Sequence, residues 1–269
     1  MSGITGEPTL LVLKVGGSVL TDKYSTGGTD YAAIDDFAAR IADLHAEQPG
    51  RIVLVTGGGP LCHPVGMRIK ADRADAYAAV ALTEPAFAMR WAWTTRLRAH
   101  GVRAVPLQVS AMYTERPDGT VVQTEAVERL LRAGALPVLS SDFVVTAGGT
   151  LRIFSSDEVP ALFTAERFRP LRVVALSDVP GILTGGGDVL PEVDPHRLDE
   201  IRGLLWNKPG NATGAMDGKV AALAALARDG VECVIARGER TRPMRHLLAP
   251  MSEWPPATPR TLIAVGAHR

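Results

Sequence analysis

Two glycine-rich turns, each directly after an apolar segment, constrain this chain more than any other feature. The first apolar segment, residues 10–13, continues into Lys14-Val15-Gly16-Gly17-Ser18. The second, residues 51–55, continues into Thr56-Gly57-Gly58-Gly59. Short apolar runs that end in such turns are typical of buried strands in an α/β sheet. Because glycine has no side chain, the backbone N–H groups of both turns can approach phosphate oxygens. The pattern favours a phosphate-binding α/β protein over a chain with two ordinary bends.

Lys14 stands where the first predicted strand ends, so its ammonium group can reach an anion bound by either turn. A lysine at a strand end is more commonly only a solvated surface residue. The P-loop pattern G-x-x-x-x-G-K-[ST] is absent from the sequence. If the turns bind phosphate, they therefore do so in a different arrangement, with Lys14 as the candidate cation.

The composition excludes several classes of function. The chain has 269 residues, with 29 Lys+Arg and 29 Asp+Glu, so no excess of basic charge suggests a nucleic-acid partner. Cys62 and Cys233 are far apart and lack the spacing of a metal or redox motif. Apolar stretches are interrupted by charges before the roughly 20 residues that a membrane span needs. With no apolar leader at its start, we expect a cytoplasmic protein.

Helix and strand patterns alternate along the chain, which predicts a mostly parallel sheet with helices on both faces. Two turn-rich stretches predict β-hairpins at one end, at residues 112–123 and 143–154. Helices are predicted at residues 31–46, 86–99, 125–133, 158–163 and 216–228. Strands are predicted at residues 10–13, 51–55, 103–107, 136–139, 172–176, 232–236 and 261–265.

Ligands of such sheets bind beyond the carboxyl ends of the strands, so the polar residues at these ends are candidate site residues. They comprise a lysine, hydroxyls, glycines and carboxylates, with no Ser-His-Asp set and no pair of metal-binding histidines. This inventory suits phosphoryl transfer, in which positioning and cationic stabilisation do most of the catalysis. The segments are residues 14–18, 57–59, 140–142, 177–181 and 237–238.

Four motifs spread along the chain resemble the amino acid kinase superfamily. Three of them are Leu13-Lys14-Val15-Gly16-Gly17-Ser18, Gly57-Gly58-Gly59 and Asp178-Val179-Pro180-Gly181-Ile182. The fourth is Thr213-Gly214-Ala215-Met216, followed by Lys219. His63, four residues after the second glycine turn, is similar to the branch that contains isopentenyl phosphate kinases and fosfomycin kinases.

Further stretches resemble the fosfomycin kinases in particular. The turn itself departs from both groups, because Pro60-Leu61-Cys62 stands where a small residue, an aromatic residue and a glycine are usual. Residues 65–81, expected to wall the acceptor pocket, match neither group closely. The matching stretches are Leu82-Thr83-Glu84, residues 105–108 and 111–112, Phe154-Ser155-Ser156-Asp157, residues 212–216, and Ala249-Pro250 with Ser252 and Trp254-Pro255.

The resemblance implies an ATP-dependent kinase that transfers the γ-phosphoryl group to an oxygen of a small phosphonate or phosphate. It also implies one domain with an open, three-layer αβα sandwich, in which residues 1–170 bind the acceptor and residues 171–269 the nucleotide. Mg²⁺ is expected to enter with ATP, held through phosphates and water, so no protein metal ligand is assigned. Relatives commonly dimerise, and the apolar helix at residues 86–99, with Trp91 and Trp93 on different sides, favours a homodimer.

The same resemblance assigns roles to individual residues. The implied catalytic residues are Lys14, Lys23, His63, Asp157 and Lys219. The implied nucleotide-binding residues are Lys14, Gly16, Gly17, Ser18, Gly59, Asp178, Gly181, Gly214, Ala215, Met216 and Lys219. The implied acceptor-binding residues are Gly57, Gly58, His63, Ser156 and Thr213.

Structural alternatives remain open at several of these positions. Asp157 either orients the lysines or caps the helix predicted after it, and both can hold at once. Asp178 also suits a plain turn, Lys23 a solvated loop, and His63 a structural histidine among apolar neighbours. Lys219 is unfavourable near the positive start of a helix unless it contacts phosphate.

Three functions remain open at this stage. The first is a kinase for a fosfomycin-type phosphonate, and the second is an isopentenyl phosphate kinase. The third is a non-catalytic protein that binds an oxyanion or effector on the same fold. The alanine-rich residues 78–81 would permit an apolar slot for an isoprenoid tail. Arg68, Lys70, Arg73 and Arg90 would instead favour an acceptor with more anionic charge.

Overall fold

The structure, a computed structural model, describes residues 10–22, 27–71, 74–202, 215–256 and 258–266. Helices and strands alternate along most of this length. The α-helices are α1 (Tyr31–Glu47), α2 (Gly59–Ala71), α3 (Thr83–Ala99), α4 (Glu125–Arg132), α5 (Leu198–Arg202) and α6 (Ala215–Arg228). The strands are β1 (Leu10–Val15), β2 (Ile52–Thr56), β3 (Ala104–Pro106), β4 (Tyr113–Arg116), β5 (Gly119–Val122), β6 (Leu136–Ser140), β7 (Asp142–Val145), β8 (Leu151–Phe154), β9 (Leu171–Ser177), β10 (Ile182–Leu183), β11 (Val189–Leu190), β12 (Glu192–Val193), β13 (Glu232–Arg237) and β14 (Arg260–Ile263).

Eight strands form one sheet in the order β12-β14-β13-β9-β1-β2-β6-β3. The central strand β1 runs parallel to β2 on one side and to β9 on the other, with Leu13 opposite Leu54 and Val174. From β13 to β3 all neighbours are parallel, and the direction reverses between β13 and β14. The predicted mostly parallel sheet is confirmed.

Both faces of this sheet are covered. Successive side chains of a strand point to opposite faces, and in β1 Val12 packs into a core with α4 and α6 whereas Leu13 packs into a core with α1 and α3. All six residues of β1 are buried, as expected for a strand between two helical layers. The three-layer αβα arrangement is therefore confirmed.

The two predicted hairpins pair with each other and form a small separate sheet. Its order is β5-β4-β7-β8, joined by one parallel bridge between β4 and β7. Residues 158–163, predicted to be a helix, contain the 3₁₀ helix Val159–Phe163. None of the helices in the described ranges is long and apolar enough to cross a membrane.

Helix α2 was not predicted from the sequence. It occupies Gly59–Ala71 and is followed by the 3₁₀ helix Ala78–Leu82, so these two elements form most of the segment expected to wall the acceptor pocket. Leu61, Val65 and Ile69 of α2 pack against a small buried cluster that includes Leu82. Helix α2 therefore begins at Gly59, the last glycine of the second turn.

Candidate active site

The two glycine-rich turns touch each other at the carboxyl ends of β1 and β2. A Cβ atom on Gly17 would lie 2.6 Å from the backbone nitrogen of Gly59, and one on Gly57 would lie 2.3 Å from that of Gly17. Real side chains do not tolerate such distances, so both positions require glycine. Because α2 begins at Gly59, its first amide groups have no partner inside the helix. The turns and the helix start together form a backbone surface suited to phosphate.

Two lysines and an aspartate meet beside this surface. Lys14 of β1 is 4% exposed, and its Nζ atom lies 2.5 Å from Oδ1 of Asp157. Lys219 of α6 is 8% exposed. Its Nζ atom is 3.8 Å from the position that a Cβ on Gly16 would occupy. Residues from β1, α6 and the segment after β8 thus converge at the first glycine turn.

Both ammonium groups of the cluster are buried, whereas the carboxylates of Asp157 and Asp178 are partly exposed. Burial, together with the neighbouring charge of Lys14, lowers the pKa of Lys219 to about 8. The carboxylates of Asp157 and Asp178 act in the opposite direction. Two neighbouring buried ammonium groups whose carboxylates are partly exposed are stabilised by an additional anion. The electrostatics of the site therefore favour a bound phosphate group.

Asp157 contacts Lys14 rather than the helix that follows it. The 3₁₀ helix Val159–Phe163 has Glu158 at its N-cap position, while the backbone N–H of Asp157 donates to Oγ of Ser155 at 3.1 Å. Ser156, assigned to acceptor binding, is 9% exposed beside it. The geometry thus suits the orienting role that the sequence left open against a cap.

The implied nucleotide residues lie at the ends of β9 and α6. Asp178 follows β9 and acts electrostatically on Lys219. Gly181 packs against β14, where a Cβ would lie 2.6 Å from Oγ1 of Thr261. Ala215 opens α6, and Met216 packs partly against the core on that face of the sheet. Lys23, Thr213 and Gly214 lie outside the described residues.

His63 lies in α2 and is exposed. Its ring makes no hydrogen bond or ion pair with any residue that the structure describes, unlike a structural histidine such as His45, which bonds to the carbonyl of Gly134. Gly58 is held against the same helix, since a Cβ there would lie 2.3 Å from that of Cys62. Ser18 lies in the 3₁₀ helix Gly17–Leu20 and is partly exposed.

Arg90 has a different environment from the one expected. It is 1% exposed, donates to Oγ of Ser140 at 3.0 Å and lies 3.6 Å from Oδ2 of Asp142. Asp142 also accepts the backbone N–H of Val109 at 3.0 Å. Arg90 therefore cannot supply the additional positive charge for an acceptor that the sequence suggested. Arg68 and Lys70 are exposed on α2, and Arg73 lies outside the described residues.

Sequence reasoning missed this Arg90–Asp142–Ser140 network. The strand-end segment 140–142 was recognised, but nothing linked it to an arginine about fifty residues earlier. Burial raises the pKa of Asp142, whereas the charge of Arg90 lowers it. The network joins α3 to the end of β6 in the large sheet and to the start of β7 in the small sheet. Among the described residues, no group of three or more His, Cys, Asp or Glu side chains is placed to hold a metal ion.

The chain is similar to several kinases over most of its length. An isopentenyl phosphate kinase of Haloferax volcanii is 32% identical over 220 residues, which cover 81% of this chain and 88% of that protein. A glutamate 5-kinase of Symbiobacterium thermophilum is 30% identical over 255 residues, covering 89% and 92%. The solved product complex of the T. acidophilum isopentenyl phosphate kinase has a TM-score of 0.67 at 18% identity, covering 95% of this chain and 100% of the other. That structural likeness supports the fold alone.

The model of the amino acid kinase family matches residues 9–237. This range contains both glycine turns, Asp157, Asp178 and Lys219. The kinase activity implied by the motifs is thereby confirmed at the level of the family. The chain belongs to the amino acid kinase family and is a small-molecule kinase.

Proposed function

We propose that this protein transfers the γ-phosphoryl group of ATP to an oxygen of a small phosphonate or phosphate monoester, and that the acceptor is a compact phosphonate of the fosfomycin type. The reaction class rests on one observation: two buried lysines, one of them paired with Asp157, lie beside a glycine surface. Such an arrangement concentrates positive charge where negative charge builds up during phosphoryl transfer.

Each residue of the cluster has a distinct task in this proposal. Asp157 fixes the Lys14 ammonium at 2.5 Å, so that its position is set before substrates bind. Lys14 offsets charge on the phosphoryl group between donor and acceptor, and Lys219 contacts the donor phosphates. An ionised phosphonate oxygen is already a nucleophile, so no general base is required. His63 donates a hydrogen bond that orients the acceptor.

We expect the glycine surface to bind the phosphates of the nucleotide, and a Cβ at Gly17 or Gly57 would push the two turns apart. Asp178, Gly181 and Met216 are the described residues proposed to hold the rest of ATP. Mg²⁺ bound with ATP would shield its phosphate charges. No residue of this chain is assigned as a ligand of that ion.

The argument for a compact acceptor comes from the wall beyond His63. Cys62, Leu82 and Ala86 are buried there. Ile153 of β8 packs on the same cluster and lies within 3.9 Å of the position that a Cβ on Gly66 would occupy. Burial raises the pKa of Cys62 to about 11, so this wall is uncharged at neutral pH. The packing of these side chains between α2, α3 and β8 supports a compact acceptor over one with an isoprenoid tail.

Isopentenyl phosphate is the second candidate acceptor, because relatives at 28–32% identity are isopentenyl phosphate kinases. The test compares kcat/KM for fosfomycin and for isopentenyl phosphate in an assay of ATP consumption. We expect fosfomycin to be the better substrate by at least about tenfold, roughly 1.4 kcal/mol of transition-state binding. A preference for isopentenyl phosphate would overturn the proposed acceptor but not the reaction class.

A variant of Ile153, in the wall beyond His63, gives a second test of which acceptor the site prefers. Ile153→Ala should open space between β8 and α2, so kcat/KM for isopentenyl phosphate should rise while that for fosfomycin changes little. Val145→Ala, at an exposed position on the neighbouring strand β7, is the matched control. Failure to consume ATP with any acceptor in a panel of small phosphates and phosphonates would favour the third reading, a non-catalytic binding protein.

We further propose a cytoplasmic homodimer in which α3 covers its counterpart in a second copy. Phe87 and Trp91 are each 49% exposed and stack with ring centroids 6.1 Å apart, whereas Trp93 on the opposite side of the helix is buried. An exposed aromatic pair on one helix face is typical of an interface. Sedimentation velocity should give a dimer for the wild type and a monomer for Trp91→Glu. A monomeric wild type would contradict this proposal.

A further inference from the structure

Asp157, which pairs with Lys14, lies in a tight turn directly after β8. The backbone N–H of Glu158 donates to the carbonyl of Ser155 at 2.9 Å, and this hydrogen bond closes the turn. The backbone N–H of Asp157 donates to Oγ of Ser155 at 3.1 Å, and Oε2 of Glu158 accepts the backbone N–H of Ser155 at 2.7 Å. These reciprocal bonds have the pattern of a capping box, and they fix the backbone that carries Asp157.

The other carboxylate oxygen of Glu158 is bound by Arg152 of β8. Nη1 of Arg152 donates to Oε1 of Glu158 at 2.9 Å. Arg152 is itself fixed, because its Nε atom donates to Glu115 of β4 at 2.7 Å and its guanidinium carbon lies 5.2 Å from the centre of the Phe154 ring. The guanidinium thus ties strands β4 and β8 of the small sheet to the turn that carries Asp157.

The position of Arg152 suits control of geometry more than stability. The side chains of Arg152, Glu115 and Glu158 are 34%, 24% and 38% exposed, and ion pairs at such exposure are weakened by water. By binding one oxygen of Glu158, Arg152 restrains the other oxygen where it accepts the N–H of Ser155. A small displacement of a group that acts in catalysis lowers the rate far more than it lowers stability.

We propose that Arg152 and Glu158 are positioning residues of the kinase, which hold the turn in which the carboxylate of Asp157 meets Lys14. They act through Asp157 and are assigned no contact with a substrate. This inference rests on the proposed function, because it gives the pair a task in the same phosphoryl transfer. It also gives the small sheet a role in catalysis, since Arg152 and its second partner Glu115 belong to that sheet.

Two carboxylates that bind the same arginine allow a matched comparison. Glu158→Ala removes the contact that holds the turn, whereas Glu115→Ala leaves Arg152 on Glu158. With the preferred acceptor we expect kcat to fall about tenfold in Glu158→Ala, because Lys14 is then held less precisely, and to stay near the wild-type value in Glu115→Ala. Melting temperatures should change little in both variants. Equal kcat values in the two variants would overturn the proposal.

A double-variant cycle tests whether Arg152 acts through Glu158. Arg152→Gln should lower kcat about threefold, less than Glu158→Ala, because Glu158 can still accept the N–H of Ser155. The double variant should be no slower than Glu158→Ala alone, since the contact through which Arg152 acts is already lost. Multiplication of the two effects would overturn the role of Arg152. If Glu158→Ala did not fold, a wild-type kcat in Arg152→Gln would by itself overturn the proposal.

A pH profile separates a positioning role from a purely structural one. Burial and the charge of Lys14 lower the pKa of Lys219 to about 8. The carboxylates of Asp157 and Asp178 oppose this shift. If Asp157 is displaced in Glu158→Ala, the affinity for a non-hydrolysable ATP analogue should be lost at a lower pH than in the wild type. An unshifted profile would overturn the proposal. Because this experiment measures binding, it stays decisive even if no acceptor is phosphorylated, a result that would instead contradict the proposed function.

Discussion

Two ionic clusters lie at opposite ends of the central strands, and they differ in how deeply their carboxylates are buried. Arg172, at the start of β9, pairs with Glu232 and donates to the carbonyls of Leu247 at 2.9 Å and Ala249 at 2.7 Å. At the other end Lys14 and Lys219 are buried, Lys14 pairs with the partly exposed Asp157, and Asp157 and Asp178 act electrostatically on Lys219. The first cluster is complete within the chain, whereas the second favours an additional anion. The comparison indicates that the lysine cluster, unlike the arginine cluster, combines two buried positive charges with carboxylates that are only partly buried.

The largest effect is expected from breaking the Arg172–Glu232 pair. Arg172→Met leaves Glu232 buried at 8% exposure without its partner. The free energy of unfolding, measured in urea, should fall by about 3–5 kcal/mol because an uncompensated buried charge remains. Turnover by the folded protein should change little, since Arg172 lies away from the glycine turns.

The double variant Arg172→Met with Glu232→Gln is the control for this prediction. It removes both charges and should recover much of the lost stability. If Arg172→Met alone were as stable as the wild type, the pair would not hold these strands together. The contrast between the two clusters would then fail.

The second largest effect is expected at the lysine cluster, where the change affects catalysis more than stability. Lys14→Ala should lower kcat by about a hundredfold, or on the order of 3 kcal/mol, because its charge acts mainly on the transferring phosphoryl group. Stability should fall far less than in Arg172→Met, since Asp157 is partly exposed and keeps Lys219 nearby. Lys70→Ala, an exposed lysine on α2, is the control.

Near-normal turnover in Lys14→Ala would remove this turn as the catalytic centre. A large loss of stability without a specific loss of kcat would instead make the Lys14–Asp157 pair a structural ion pair. Thermal melting and steady-state kinetics on the same samples separate these results.

The sheet could be predicted from the sequence because local signals agree with the tertiary structure. The apolar run of β1 and the Asp30 cap of α1, whose Oδ1 accepts the N–H of Ala33 at 2.8 Å, need no distant partner to be recognised. Helix α2 could not be predicted in the same way. It contains Pro64 and Gly66, which disfavour a helix locally, and it is stabilised by packing on distant elements.

The candidate site also combines local motifs that the sequence reveals with contacts that depend on the whole fold. The glycine turns and Lys14 are visible as a local motif, but the distance between Lys14 and Asp157, 143 residues apart, depends on the whole fold. Arg90 shows the limit of the sequence, which offered it as one possible source of positive charge for an acceptor, whereas in the structure it lies 3.6 Å from the carboxylate of Asp142. A sequence gives the type of charge, whereas only packing decides what that charge contacts.

A smaller effect is expected at His63, which belongs to neither cluster. His63→Ala should lower kcat/KM for the acceptor by about tenfold to a hundredfold, as for a charge-assisted hydrogen bond worth about 1.5–3 kcal/mol, with little change in ATP affinity. His63→Gln keeps an N–H donor and should retain part of the activity. Melting temperatures should stay near the wild-type value, because the ring is exposed. Unchanged acceptor kinetics in folded His63→Ala would remove this histidine from the site.

The smallest effect is expected from a change of pH, which tests the buried positive charge of Lys219 directly. Lys219 has an ordinary pKa of 10.5 that the fold lowers to about 8. The free enzyme therefore loses this positive charge above about pH 8, and kcat/KM for ATP should fall about tenfold by pH 9. Lys219→Arg remains charged throughout, so its profile should be flat over this range even if its activity is lower.

The contribution of Lys219 to stability should change in the opposite direction. Between the folded pKa near 8 and the unfolded value of 10.5, the unfolded chain binds more protons at this position than the folded chain. Stability therefore rises with pH across that window, and below pH 8 this group adds no pH dependence. Chemical unfolding of the wild type and of Lys219→Met between pH 7.5 and 10 measures how much Lys219 contributes to the pH dependence of the free energy of unfolding. If both proteins showed the same dependence, Lys219 would not carry a lowered pKa, and the second cluster would be as well compensated as the first.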